Sequence, residues 1–358
     1  MLRRLMNPCF MWCPHLLTAA RLLCVAAVNG TVPIVNDYFN TQMRPTPTAE
    51  VAGPLRSCCA PARTPSAGRG DTSLSTDQPS PAGVAEVGLE LVPLPGGTFT
   101  FGTDDPIAND EDGERPARTE SVEPFQISST TVTNRMFAAF VSRTGYRTTA
   151  EREGWSFVFA GLLPDAFPAT RGVAQAPWWR QVFGARWDQP EGPGSSIDDR
   201  LDHPVVHVSH ADAEAFCRWS GTRLPNEREW EFAARGGLDG ARYPWGDDLI
   251  VEGRHMCNIW QGDFPILNTL DDGWLGTAPA RSFHPNGYGL YNMVGNVWEW
   301  CADPVDGIRP KPDDDAPFVI RGGSYLCHDS YCNRYRVSAR SRNTRYSCTG
   351  NTGFRVAR

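Results

Sequence analysis

A single α+β domain with little regular secondary structure is predicted by three features of the 358-residue chain. The first is its load of 34 glycines and 30 prolines, which shortens helices and multiplies turns. The second is a small set of short helical patterns that carry their own start and stop signals. The third is a succession of short apolar runs punctuated by Gly, Asn and Asp, with no internal repeat and no doubly wound strand–helix alternation.

Composition narrows the functional classes. A content of 41% hydrophobic and 21% charged residues, with 12 Trp and 17 Phe, supports a large buried core and excludes wholesale disorder. The formal net charge of -7 argues against a nucleic-acid partner. No uninterrupted apolar run reaches the roughly 18 residues of a membrane span, so no membrane partner is expected. Lys311 is the single lysine, which disfavours a P-loop or a Schiff-base enzyme.

Residues 1–85 differ from the rest. The apolar run Leu16 to Val28 is broken by Arg21 and makes a poor secretory signal. Arg44 to Gly83 is rich in Pro, Ala, Ser, Thr and Gly, too poor in large apolar groups to offset its ordering entropy. We expect 1–85 to be a disordered or low-complexity extension and 86–358 to be the folded domain. Within it, Leu89 to Gly102 reads as a strand, a Pro-Gly-Gly turn and a second strand. Val132 to Arg143 places Val132, Met136, Phe137, Phe140 and Val141 on one helical face. Ser209 with Asp212 opens a helix that Gly221 stops, and Asn226 with Glu229 opens another that Gly236-Gly237 closes. Glu151 to Asp202 and Asp303 to Pro317 read as long loops.

Of the 11 cysteines, Cys9, Cys13, Cys24, Cys58 and Cys59 lie in the extension. Cys217, Cys257, Cys301 and Cys348 read as small buried hydrophobes. No C-x-x-C, H-E-x-x-H, G-x-S-x-G or Walker sequence occurs. Cys327 and Cys332 stand apart, because four intervening residues allow a turn that brings two thiols to one point. His328, Arg334 and Arg336 nearby favour thiolate. Two thiolates alone suit Cu(I) better than zinc, which wants four ligands. On spacing alone a structural disulfide, two unrelated thiols and a metal pair all remain open.

From about Glu90 to Arg358 the chain resembles the formylglycine-generating enzymes, the aerobic sulfatase-maturation enzymes of the sulfatase-modifying factor family. LVPLPGGTFTFG, RLPNEREWEFAARGG, GNVWEW and NTGFRVAR carry the general likeness. That likeness extends to a wider superfamily with non-catalytic members and iron sulfoxide synthases. The cysteines of GGSYLCHDSYCNRYR are more specific to the formylglycine enzymes.

The resemblance implies a compact formylglycine-generating-enzyme fold, a distant C-type-lectin-like variant. It implies an oxidoreductase that uses copper, O₂ and a thiol reductant. The substrate would be a cysteine in a C-x-P-x-R motif of an unfolded or nascent sulfatase, and the product Cα-formylglycine. Cys327 and Cys332 would hold Cu(I), with the substrate thiol completing the site. Loss of hydrogen from Cβ would be followed by hydrolysis and departure of sulfide. Ser324 would help bind oxygen, and Trp298 would form the pocket floor. His328 and Tyr331 are weaker candidates for contacts to substrate or product. The arginines of 334–342 either form salt bridges or line a peptide groove.

Two structural Ca²⁺ sites are also implied. One uses Asn258, the Ile259 carbonyl, Asp272 and the Trp274 carbonyl; the other uses Asn292, the Gly295 and Val297 carbonyls and Glu299. Without the resemblance, Glu299 reads as a carboxylate accepting N–H bonds. Secreted relatives carry disulfides where this chain has Cys217 with Val356, and Ala234 with Val337. Their loss favours a reducing compartment, the bacterial cytoplasm, over secretion. A monomer is expected. Two competing readings are a non-catalytic peptide- or glycan-binding module and an iron sulfoxide synthase, the latter poorly served by seven histidines.

Overall fold

Local capping chemistry sets every long helix of the computed structural model, which describes residues 60–63, 87–308, 311 and 314–358. The run Leu16 to Val28 and the first five cysteines lie outside the described residues. The described residues belong to one compact unit, and among them no helix is long and apolar enough to cross a membrane.

The chain enters through β1 (Leu91–Leu94), β2 (Gly97–Phe101), β3 (Arg118–Val122) and β4 (Phe125–Ser128). The Pro-Gly-Gly turn separates two strands, as expected, but they do not form a hairpin. β1 pairs antiparallel with β4, and β2 with β3. Gly96 has φ +68°, and a Cβ there would meet the Val122 carbonyl oxygen at 2.5 Å. The turn is pressed onto the β3–β4 connection, so each strand faces a different partner.

Helix α1 (Asn134–Thr144) starts two residues later than its apolar pattern, because the Thr133 side chain caps it by accepting from the Met136 N–H. It buries Phe137 and Phe140, which pack on Phe216 and Trp219. After the short α2 (Thr149–Glu153) come β5 (Trp155–Phe159), β6 (Arg171–Val173) and β7 (Ala176–Phe183). These form an antiparallel sheet in the order β5-β7-β6, where a long loop was expected. Ser156 to Phe159 are all buried. A strand buried on both faces shows no alternation, and only the aromatic density of WSFVF and PWWRQVF marked it.

Helices α3 (His210–Ser220) and α4 (Glu227–Arg235) carry complete capping boxes, Ser209 with Asp212 and Asn226 with Glu229. Gly221 and Gly236 end them in the left-handed conformation. Two small ladders follow, β8 (Ile250–Val251) with β9 (Arg254–His255) and β10 (Gly262–Asp263) with β11 (Leu267–Asn268). The last sheet contains β12 (Trp298–Pro304), β13 (Pro317–Arg321), β14 (Arg340–Thr344) and β15 (Thr352–Gly353) in the order β14-β13-β12-β15. Between β12 and β13 the described residues form neither helix nor strand, as the sequence suggested.

The core is rich in tryptophan, with Trp230, Trp298 and Trp300 fully buried. Glu299, equally buried, receives Arg355 Nε at 2.6 Å and Nη2 at 2.8 Å, and Trp230 Nε1 at 2.7 Å. Residues 60–63 fall in the stretch assigned to the extension, yet Ala60, Pro61 and Arg63 are buried against the domain.

Two stability predictions follow from this core. Arg355→Met strands a buried carboxylate and should cost about 3–5 kcal/mol, read as a lower urea midpoint at pH 7. Burial also holds the imidazoles of His207 and His210 down at about 3, against an ordinary 6.5. Between those values the unfolded chain binds more protons than the folded one, so stability falls as pH drops from 6.5 towards 3. His207 has φ 59°, which asparagine tolerates. His207→Asn should flatten the slope by about one proton, about 1.4 kcal/mol per pH unit, in urea titrations across that window.

Candidate active site at the paired cysteines

Two glycines deliver the chain to the site. Gly322 (φ +93°) and Gly323 (φ +74°) follow β13, and a Cβ on Gly323 would lie 2.7 Å from the Arg334 carbonyl oxygen. The backbone squeezes through at this point because neither residue has a side chain. Tyr325 N–H then donates to the Asn296 carbonyl at 2.9 Å, and Trp260 N–H to the Cys327 carbonyl at 3.0 Å. The His328 carbonyl accepts the N–H groups of Tyr331, Cys332 and Asn333 at 3.1, 2.9 and 3.1 Å. Three amides on one oxygen close the segment between the cysteines into a single tight turn. Cys327 is 1% and Cys332 8% exposed.

Ser324 belongs to the same turn. Its N–H donates to Cys327 Sγ at 3.4 Å, and its hydroxyl oxygen accepts from Asn351 Nδ2 at 3.0 Å. The serine hydroxyl thereby keeps its own proton to donate. Asn351 also offers its carbonyl to the Trp298 N–H at 2.8 Å, so one residue positions both Ser324 and Trp298. Sequence reasoning missed Asn351, although it lies at the head of the NTGFRVAR motif. Trp298 is fully buried in the apolar cluster that contains both cysteines, and its indole N–H has no acceptor among the described residues.

The remaining candidates separate. Tyr331 stacks on Phe264 at 4.6 Å and meets the edge of Trp178 at 4.9 Å, forming an aromatic wall next to Cys332. His328 is engaged locally with Ser330 Oγ at 2.7 Å and Asp329 at 3.1 Å. The arginines each have a carboxylate partner. Arg334 pairs with Asp112 at 2.5 Å, Arg336 with Glu114 at 2.5 Å, and Arg340 with Glu227 at 2.6 Å. These pairs favour the salt-bridge alternative for the stretch; Arg342 is exposed. Burial pushes the thiols of Cys217 and Cys348 up to about 12 and raises those of Cys257 and Cys301 as well. These four behave as apolar side chains.

The donor sets can be tested against the implied metals. Among the described residues no three His, Cys, Asp or Glu side chains converge, so a four-ligand zinc site has no basis. Two buried thiols on one turn suit a soft cation of low coordination number. At the first calcium set, Asn258 is fully buried and its Oδ1 has no hydrogen-bond donor. Asp272 accepts from Ile259 N–H at 3.0 Å, Gln261 Nε2 at 2.7 Å and Trp274 N–H at 2.9 Å, while burial raises its pKa. A buried amide oxygen without a donor beside a desolvated carboxylate fits a hard cation. At the second set Asn292 Oδ1 also lacks a donor. Glu299 there is already held by Arg355 and Trp230, so a cation would have to share its carboxylate with a guanidinium.

With this geometry in hand, the family follows. A family model described as the sulfatase-modifying factor enzyme 1-like domain matches residues 78–358. The chain belongs to that family. It is 56% identical over 285 residues to a formylglycine-generating enzyme of Thermomonospora curvata, covering 76% of this chain and 94% of that one. It is 50% identical over 287 residues to a formylglycine-generating enzyme of Bos taurus, covering 77% of this chain and 76% of the relative. A Bos taurus relative named an inactive Cα-formylglycine-generating enzyme 2 is 46% identical over 274 residues, covering 75% and 88%. Among solved structures, PvdO from Pseudomonas aeruginosa has the same fold, with TM-score 0.54 and 25% identity over 75% of this chain and 93% of that one. Identities of 50% and 46% to active and inactive relatives lie too close to separate them, so the chemistry rests on individual residues.

Asn351→Ala should lower kcat by about tenfold, roughly the worth of one buried hydrogen bond, with KM nearly unchanged. Steady-state turnover against substrate concentration checks it.

Proposed function

We propose that this protein activates sulfatases by converting a cysteine in a C-x-P-x-R segment into Cα-formylglycine, with O₂ as oxidant and a thiol as reductant. Residues 86–358 form the catalytic domain in this reading. The observation that carries it is the closed turn that buries Cys327 and Cys332 together and gives Cys327 Sγ an N–H donor from Ser324. Cys327 and Cys332 would hold Cu(I), which when bound supplies a soft site for the substrate thiol and a one-electron reductant for O₂.

The chain's own residues do the rest. Cys327 and Cys332 lose their protons on loading. Ser324, clamped by Asn351, keeps an O–H to donate where negative charge develops. Tyr331, Phe264 and Trp178 exclude water on the side of Cys332 and give a peptide an apolar wall. Trp298 closes the floor. The set of Asn258, Ile259, Asp272 and Trp274 would hold one structural Ca²⁺, and Asn292, Gly295, Val297 and Glu299 a second, more contested one. The missing disulfide positions at Val356, Ala234 and Val337 favour action in a reducing cytoplasm, as a monomer.

A second reading, a binding module without chemistry, is favoured by the relative named inactive. Copper-loaded protein that binds a C-x-P-x-R peptide yet consumes no O₂ would support it. Cys327→Ser and Cys332→Ser should each abolish Cu(I) uptake, followed by a competing chelator, and aldehyde formation, followed by mass spectrometry. Aldehyde formation surviving in either variant refutes the proposal. Chelation with EGTA should lower Tm by several degrees, and Asn258→Ala should remove that sensitivity to calcium.

A further inference from the structure

The segment that docks on the domain from within the extension has a telling sequence. Residues 59–63 read Cys59-Ala60-Pro61-Ala62-Arg63, a C-x-P-x-R motif. Of the 11 cysteines, Cys59 alone has proline two positions on and arginine four positions on. Its surroundings are the Pro, Ala, Ser and Thr-rich stretch that is too poor in large apolar groups to order itself. Burial of such a segment needs a site shaped to receive it.

The structure shows that site. Arg63 is 4% exposed and its guanidinium carbon lies 3.9 Å from the Trp155 ring centroid. The same guanidinium donates to the Trp155 carbonyl and lies 3.8 Å from the Glu153 carboxylate. Arg63 N–H donates to Ser347 Oγ at 2.8 Å, and the Pro61 carbonyl accepts from Asn343 Nδ2 at 3.4 Å. The proline and arginine that define the motif are both buried, while Ala62 between them is only half-buried. Trp155 packs against the apolar cluster that holds Tyr325 and Leu326, the two residues immediately before Cys327. Four residues of chain span at most about 14 Å, so a cysteine four positions before this arginine anchor stays within that reach of it.

We propose that Cys59–Arg63 is a built-in copy of the substrate motif that docks in the enzyme's own substrate groove and offers Cys59 as an intramolecular target. This rests on the oxidase reading above. Trp155, Glu153, Ser347 and Asn343 are accordingly the subsite for the motif's arginine and proline. For each Cys59 converted, one O₂ accepts four electrons, two from the cysteine Cβ and two from a pair of thiol reductant molecules that couple to a disulfide. One Cβ–H bond and the Cβ–S bond break, a water oxygen becomes the aldehyde oxygen, and hydrogen sulfide leaves. While residues 60–63 occupy the groove, they compete with any peptide offered in trans.

The test uses the full-length protein, loaded with Cu(I) and given O₂ and excess thiol. Trypsin releases Ser57–Arg63, in which Cys58 is the internal control. The expected result is an aldehyde at Cys59, reactive with an aminooxy probe, and an intact thiol at Cys58. The fraction converted should not depend on protein concentration, and Arg63→Ala should abolish it. A fluorescent S-x-P-x-R peptide, which binds without reacting, should bind at least tenfold more tightly to the Arg63→Ala variant. Oxidation of a C-x-P-x-R peptide in trans with Cys59 untouched, and equal peptide affinity in both proteins, overturns this inference and leaves the proposed function standing. If neither peptide nor Cys59 is oxidised, the oxidase reading fails. Tighter peptide binding by Arg63→Ala then still supports docking in cis, and equal binding overturns it.

Discussion

The ion pair between Glu299 and Arg355 is the constraint on which the rest of the structure depends. Arg355 makes two contacts to the carboxylate, and its remaining N–H groups donate to the Ser128 carbonyl at 3.1 Å and the Tyr291 carbonyl at 2.9 Å. Trp230 from α4 supplies the third donor to Glu299. Strand β12, the C-terminal segment, β4, α4 and the loop before β12 are thereby registered at one point. A buried pair of this kind adds little net stability over an apolar substitute, but losing one partner is costly. Its geometric effect reaches the site. Trp298 neighbours Glu299 and bonds to Asn351, and Asn351 clamps Ser324 three residues before Cys327.

The same logic explains why the basic residues are nearly all arginine. A fold with short strands leaves many carbonyls without ladder partners, and each buried one needs a donor. Arg321 donates to the Ser338 and Val337 carbonyls while pairing with Glu231 and Glu227. Arg235 reaches the Gly102 carbonyl, and Arg115 those of Asp105, Pro106 and Ala108. A planar guanidinium satisfies several fixed oxygens at once and stays charged when buried. A lysine ammonium does neither as well. Arginine here takes the part that sheet ladders take in more regular folds.

This division also explains what the sequence makes legible. Capping boxes and C-terminal glycines are local, so α3 and α4 can be placed from Ser209, Gly221, Asn226 and Gly236. The cysteine pair is local too, five positions apart on one turn. Three things depend on tertiary context. The β5–β7–β6 sheet is buried on both faces and shows no period. The pairing of β1 with β4 is decided by Gly96 against a distant carbonyl. Asn351 matters only because the fold carries its amide to Ser324, 27 residues away in sequence. Charge near the cysteines also depends on tertiary context. Arg334 and Arg336 neighbour Cys332 in sequence, but Asp112 and Glu114, which claim them, come from the far end of the domain.

All six cysteines of the domain are buried, yet the proposed chemistry would divide them. Removing a thiolate from water is costly, and Cys217, Cys257, Cys301 and Cys348 respond by staying protonated. Cys327 and Cys332 are also buried, at 1% and 8% exposure, so exposure does not set them apart. What distinguishes them is shared geometry. One turn holds both, and a backbone N–H is already directed at one sulfur. A monovalent soft cation bound by both would take the place of two protons and leave one net negative charge on the pair, so metal uptake and thiol deprotonation would be a single coupled event. Under the proposed function, the apolar surroundings that keep an isolated cysteine protonated would make this site selective for a ligand able to bind sulfur in place of its proton.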